Sequence, residues 1–159
     1  MTITNGRPDG YTTLTPFLVC APAAEAIRFC EEVFGATVVS RMDGPGGSVV
    51  HAELDLGVGR LQLGDPNDEY GLVAPTGQAE GRVSSSTCIY VDDVDTVFAA
   101  AVARGAVVRE EPATFVTGDR FASVHDPFGH RWAVMTKVED VSPEEQERRL
   151  AEWAASGAR

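Results

Sequence analysis

Long apolar runs are the first thing missing. No stretch of the 159 residues approaches the roughly 20 consecutive apolar positions a membrane helix needs. A helical membrane span is therefore excluded, and no membrane partner is expected. The first residues, MTITNGRPDGYTT, hold no apolar signal region, so a cytoplasmic protein is expected. Cysteine is scarce, with only Cys20, Cys30 and Cys88. An odd count without a C-x-x-C pair argues against a disulfide framework or a zinc knuckle. All three read as small buried hydrophobes in a reducing compartment. Basic residues are also few, 13 against 24 acidic, for a net charge of −11. Such a field repels nucleic acid and would attract a cationic ligand, although it serves solubility as well. No G-x-S-x-G, P-loop or G-x-G-x-x-G occurs, so acyl transfer, phosphoryl transfer and dinucleotide binding have no support.

What the chain does contain is a globular composition, 43% hydrophobic and 23% charged. A chain of this size buries about 70% of its unfolded surface, enough for an independent core. It also contains an internal repeat. Val19–Ile27 and Ile89–Val97 each read as the end of an apolar strand, a short turn and the first turn of a helix. Phe34-Gly35-Ala36-Thr37-Val38 and Arg104-Gly105-Ala106-Val107-Val108 each read as a helix stop followed by a β-branched strand, 70 residues apart. Gly35 and Gly105 stand where a helix C-terminus calls for a left-handed residue. Gly59 and Gly129 keep the same offset.

The repeat predicts an α+β fold of two βαβββ modules, a mixed sheet shaped into a cup with helices outside, and a C-terminal helix. Module one spans about 13–65: a strand near Thr13–Cys20, a helix near Ala23–Phe34, and strands near Thr37–Met42, Val49–Leu56 and Arg60–Gly64. A linker follows at about 66–83, rich in Gly and Pro. Module two spans about 84–137: a strand near Ser85–Val91, a helix near Val94–Arg104, and strands near Val107–Glu110, Phe121–His125 and Arg131–Lys137. Ser142-Pro143-Glu144-Glu145 starts the tail helix, about 142–155, with an N-cap, Pro at the first position and a capping-box Glu. That helix either packs on its own domain or grips a second copy.

Period-two alternation sets His51, Glu53 and Asp55 on one strand face against Ala52, Leu54 and Leu56. Phe121, Ser123 and His125 oppose Ala122 and Val124 in the same way. These polar faces either line a shared concavity or face solvent. His51, Glu53 and His125 form the one candidate histidine-carboxylate metal set, since His130 sits in a turn.

The paired modules, Ala24–Phe29 with Phe34-Gly35-Ala36, and the turn Asp126-Pro127-Phe128-Gly129-His130 resemble the vicinal oxygen chelate superfamily of glyoxalases, bleomycin-resistance proteins and ring-cleaving dioxygenases. Thr15-Pro16-Phe17-Leu18, Val50–Leu54, Gly118-Asp119-Arg120 and the tail Val138–Glu145 look closest to its PhnB-like branch. The resemblance implies four metal-ligand positions on the first and last strands of each module, usually His, Glu or Gln. They fall on Thr15, Gln62, Ser86 and Ala133, of which only Gln62 is a plausible ligand. The metal site therefore reads as absent, and no cofactor is expected. What remains resembles the bleomycin-resistance proteins: acidic, homodimeric, sequestering an aromatic or cationic small molecule without metal. Candidate ligand-binding residues are Thr15, Phe17, His51, Glu53, Gln62, Ser86, Arg120, Phe121, Ser123 and Met135. The alternative is a lyase, isomerase or dioxygenase of the same superfamily, using an atypical metal site or acid–base work by His51 and Glu53.

Overall fold

A computed structural model of the chain describes residues 3–4, 6–57, 59–75 and 81–157. Its contacts divide the chain into two compact units, Met1–Val83 and Ser84–Arg159.

The first unit opens with an antiparallel pair, β1 (Ile3–Thr4) and β2 (Arg7–Pro8), that the sequence pattern does not announce. Then come β3 (Phe17–Val19), α1 (Ala23–Phe34), β4 (Thr37–Asp43), β5 (Val49–Asp55) and β6 (Arg60–Gly64). The sheet order is β3-β6-β5-β4, with β3 parallel to β6 and the other pairs antiparallel. The first strand is shorter than expected, because Thr13–Pro16 lie outside the ladder. Ala26, Ile27, Cys30 and Val33 repeat at helical spacing on α1, and all are buried, as are Ala52, Leu54, Leu61 and Leu63 of the sheet. No side chain of α1 caps its own N-terminus. Asp65, just past β6, supplies that role: one carboxylate oxygen accepts from Ala23 N at 3.0 Å and the other from Val49 N at 2.7 Å. Gly35 ends the helix at φ 65°.

The second unit repeats the plan with β7 (Ser86–Tyr90), α2 (Val94–Ala103), β8 (Val107–Thr114), β9 (Asp119–His125) and β10 (Arg131–Lys137). Its order, β7-β10-β9-β8, matches the first, again with only the first strand parallel. Asp93 caps α2 from its own sequence, and Thr136 Oγ1 accepts from Val94 N at 2.9 Å. Both β8 and β9 run further than expected, which moves the turn between them out to 115–118. The Asp126 carboxylate organises the next turn, accepting from Phe128 N, His130 N and, at 2.8 Å, the indole N–H of buried Trp132.

The tail helix α3 (Pro143–Ala155) packs on its own unit. Trp153 meets Phe115 edge to face at 5.2 Å between centroids, and Arg149 pairs with Glu139 through two bonds of 2.8 Å. Of the expected linker, residues 76–80 lie outside those described. Its first part is ordered: Asp68–Tyr70 form a 3-10 turn, and Asn67 and Leu72 bond to each other twice at 2.9 Å.

Candidate functional site

On the first unit's sheet, the face opposite α1 carries His51 and Glu53 of β5, Gln62 of β6 and Ser40 of β4, since Glu53 is the cross-strand partner of both Ser40 and Gln62. The Gln62 amide donates to Glu53 at 3.5 Å, and the Tyr11 phenol interacts with both. Glu53 also draws on Ser40 and on His51 Nε2, 3.5 Å away. Tyr11 is the main cause holding the Glu53 carboxyl below its ordinary value, with Ser40 and His51 adding to it against the cost of burial. Burial and the same bond push the Tyr11 phenol up. Arg60 pairs with Asp55 and lies 5.9 Å from the Tyr11 ring centre, while its Nε is buried with no acceptor among the described residues. Beside this cluster Phe17 stacks on His51 at 5.8 Å.

The second unit's corresponding face is braced by one row of polar side chains across all four strands. Arg131 of β10 donates to Ser86 of β7 at 2.8 Å, to Ser123 of β9 at 3.1 Å and to Glu110 of β8 at 2.7 Å. Ser123 also donates to Glu110, the largest reason that this carboxyl sits below its ordinary value. His125 lies next to Arg131 in the ladder and is 5% exposed. Burial, then the charges of Arg109 and Arg131, hold its pKa down, so its imidazole stays neutral near pH 7.

Beyond that row opens a cleft of about 560 Å³. Its apolar walls are Phe115, Phe121, Met135 and the Trp153 ring from α3, and its carboxylates are Glu110, Glu111 and Asp119. Two of the three acids are committed: Glu110 as above, and Asp119 to Tyr90 at 3.2 Å, Thr117 at 2.7 Å and Lys137 at 3.6 Å. Glu111 is exposed and has no ion-pair partner among the described residues. Aromatic faces beside an unneutralised carboxylate attract a flat cation from both sides of its chemistry.

The expected site residues are thus divided. Phe121 and Met135 share the cleft, while Phe17, His51, Glu53 and Gln62 gather in the first unit. Ser86 is tied into the Arg131 row. Three expectations need correction. Arg120 stands on the α2 side of β9 and makes a two-bond pair with Asp95 on that helix, 2.6 Å each, because neighbours on a strand face opposite ways. Ser123 is 0% exposed, so it braces the sheet and cannot touch a ligand. Cys88 is exposed, unlike buried Cys20 and Cys30, because β7 is an edge strand. Tyr11, Phe115, Glu111 and Trp153 are additions. Only Trp153 carries a sequence signal, since Leu150 and Trp153 stand three residues apart on one face of the tail helix.

The metal positions implied by the family do not suit a metal. Gln62 has Phe17 as its neighbour in the ladder, and Ala133 has Cys88 and Ser123. Thr15 and Ser86 lie two residues before Phe17 and Cys88. Hydroxyls, one amide and an alanine make a poor donor set for a divalent ion. No group of three His, Cys, Asp or Glu side chains able to hold one occurs among the described residues.

This frame is that of a known class. The profile of the Glyoxalase/Bleomycin resistance protein/Dioxygenase superfamily matches residues 13–134, and the chain belongs to that superfamily. An uncharacterized protein of Mycobacterium bovis is 34% identical over 133 residues, 83% of this chain and 88% of its own. Among solved structures, TioX from Micromonospora superposes with a TM-score of 0.63 at 24% identity, covering 79% of this chain and 98% of that one. A PhnB protein from Bacillus cereus gives 0.60 at 20% identity, covering 79% and 99%. At these identities the two structures attest the fold.

Proposed function

We propose that the chain is a small-molecule binding protein of the drug-sequestering kind, holding a planar aromatic cation in the second unit's cleft without turnover and without a metal. The carrying observation is the meeting of Phe115, Phe121, Met135 and Trp153 with three carboxylates, one of them uncommitted, in a cleft of about 560 Å³. That volume lies well inside the usual range for drug-sized ligands, about 300–1,000 Å³. The net charge of −11 adds a field that draws cations in. On this reading the protein works in the cytoplasm as a homodimer and confers resistance by withholding a toxic compound.

The test is a thermal-shift series with proflavine, a flat cation near neutral pH, and acridine, its neutral relative. Proflavine is expected to raise the melting temperature in a dose-dependent way, and acridine to do so less. No stabilisation by proflavine or other aromatic cations removes the proposal.

A second reading, acid–base chemistry at His51 and Glu53, draws on the donors that surround Glu53. Those donors also stabilise the ionised carboxylate and so weaken it as a base. Loss of a measurable turnover in His51→Ala would favour this reading over binding alone.

A further inference from the structure

The first unit holds a cleft of its own, of about 340 Å³, and its chemistry differs from that of the second. The sheet side presents the Phe17–His51 ring pair, 5.8 Å apart and tilted by 35°, together with Met42. The loop side presents Tyr70 and Leu72. These walls are preformed. The loop is closed by the two Asn67–Leu72 bonds, Asn67 Oδ1 accepts from Glu69 N at 3.0 Å and Tyr70 N at 3.4 Å, and Asp65 ties the loop's start to β5. A bulge at Val50, marked by the register shift opposite Met42 and Asp43, interrupts the β4–β5 pairing at the cleft's edge. Tyr70 is 71% exposed, so its ring face is open to a ligand.

Charge is what sets the class of ligand. No Lys or Arg is among the lining residues, and the one carboxylate, Asp65, has both oxygens engaged by backbone N–H groups. His51 is turned to account by Glu53 through Nε2. An anionic ligand would lose its water and gain no counter-charge here, and the Asp65 carboxylate is already held by two backbone N–H groups. A flat uncharged ring would gain stacking against Phe17, His51 and Tyr70.

We propose that this cleft is a second binding site, taking a small uncharged heteroaromatic ring between the Phe17–His51 pair and Tyr70. It stands independently of the second unit's cleft and selects by ring stacking, with no cationic side chain to hold an anion.

The test is a titration of the full ¹⁵N-labelled chain with indole, followed by amide chemical shifts. Saturable shifts are expected at His51, Tyr70 and Leu72. Tyr70→Ala removes an exposed ring and spares the fold, and Phe17→Leu keeps the apolar volume while losing the stack. Each is expected to weaken indole about three- to ten-fold, with Trp153→Ala leaving it unchanged. Shifts centred on Phe115 and Phe121, equal indole affinity in both first-unit variants, or no saturable shift up to the solubility of indole would each overturn the proposal.

Discussion

Arg60 and Arg131 stand 71 residues apart, each opening the last strand of its unit's sheet, and the two units put this shared residue to different use. In the first, Arg60 stays local, paired with Asp55 on the adjacent strand and lying by the Tyr11 ring. In the second, Arg131 reaches both ways and joins Ser86, Ser123 and Glu110 into one row over four strands. Behind them the core differs too: Leu61 of the first unit is matched by Trp132 in the second, which adds a hydrogen bond to Asp126. The duplication has kept strand order and helix placement while the sheet faces diverged. One face became a hydrogen-bonded carboxylate cluster beside a cleft without Lys or Arg, the other a braced sheet beside an acidic, aromatic one. A repeated frame thus constrains the fold strongly and the ligand hardly at all.

The largest expected effect lies in the cores. Trp132→Ala leaves a large cavity and strips Asp126 of a donor, so urea unfolding should show a loss of about 3–5 kcal/mol. Leu61→Ala in the equivalent place should cost about 2–5 kcal/mol, through volume alone. If Trp132→Phe were neutral, the Asp126 bond would carry no weight and the two cores would be equivalent after all.

Next is the cleft itself. Trp153→Ala should weaken proflavine about ten-fold or more, as expected for an aromatic anchor. Its cost in stability should stay below that of Trp132→Ala, because α3 has no buried side chain among its described residues.

A pH scan separates the units in a third way. Arg148 and Arg149 hold the Glu145 carboxyl down from 4.5 to about 2, and Arg149 holds Glu139 down as well. A carboxyl whose folded value lies below its unfolded one stabilises above the unfolded value and loses that contribution as pH falls toward the folded one. The α3 helix should therefore loosen between about pH 4.5 and about 2, reported by Trp153 fluorescence. The smallest effect is expected at Arg120. Arg120→Ala breaks an exposed pair with Asp95 and should leave proflavine affinity unchanged, with little loss of stability.

Much of this was legible in the sequence, for physical reasons. Gly35 and Gly105 mark helix ends because left-handed backbone favours glycine, and both have positive φ. Alternation correctly separated His51 and Glu53 from Ala52 and Leu54. The same rule excludes Arg120 from any face shared with Phe121, as its pair with Asp95 shows. Other features are not local. Alternation assigns Ser123 to a face but says nothing of the Arg131 and Glu110 side chains that engage it there. The Phe115–Trp153 contact joins a strand end to the tail helix, and no spacing rule links them. Tyr11 lies in an irregular segment, where pattern carries no information about which face it crosses.

The claim that charge and aromatic surface act together in the second unit is tested most directly by calorimetric titration of proflavine into the wild-type chain and into Glu111→Gln. Glu111 is exposed and unpaired among the described residues, so its replacement should leave the fold intact. A saturable site weakened about three- to ten-fold by Glu111→Gln, with acridine affinity the same in both proteins, is the expected result. Equal proflavine affinity in the two proteins, or acridine binding as tightly as proflavine, would contradict it.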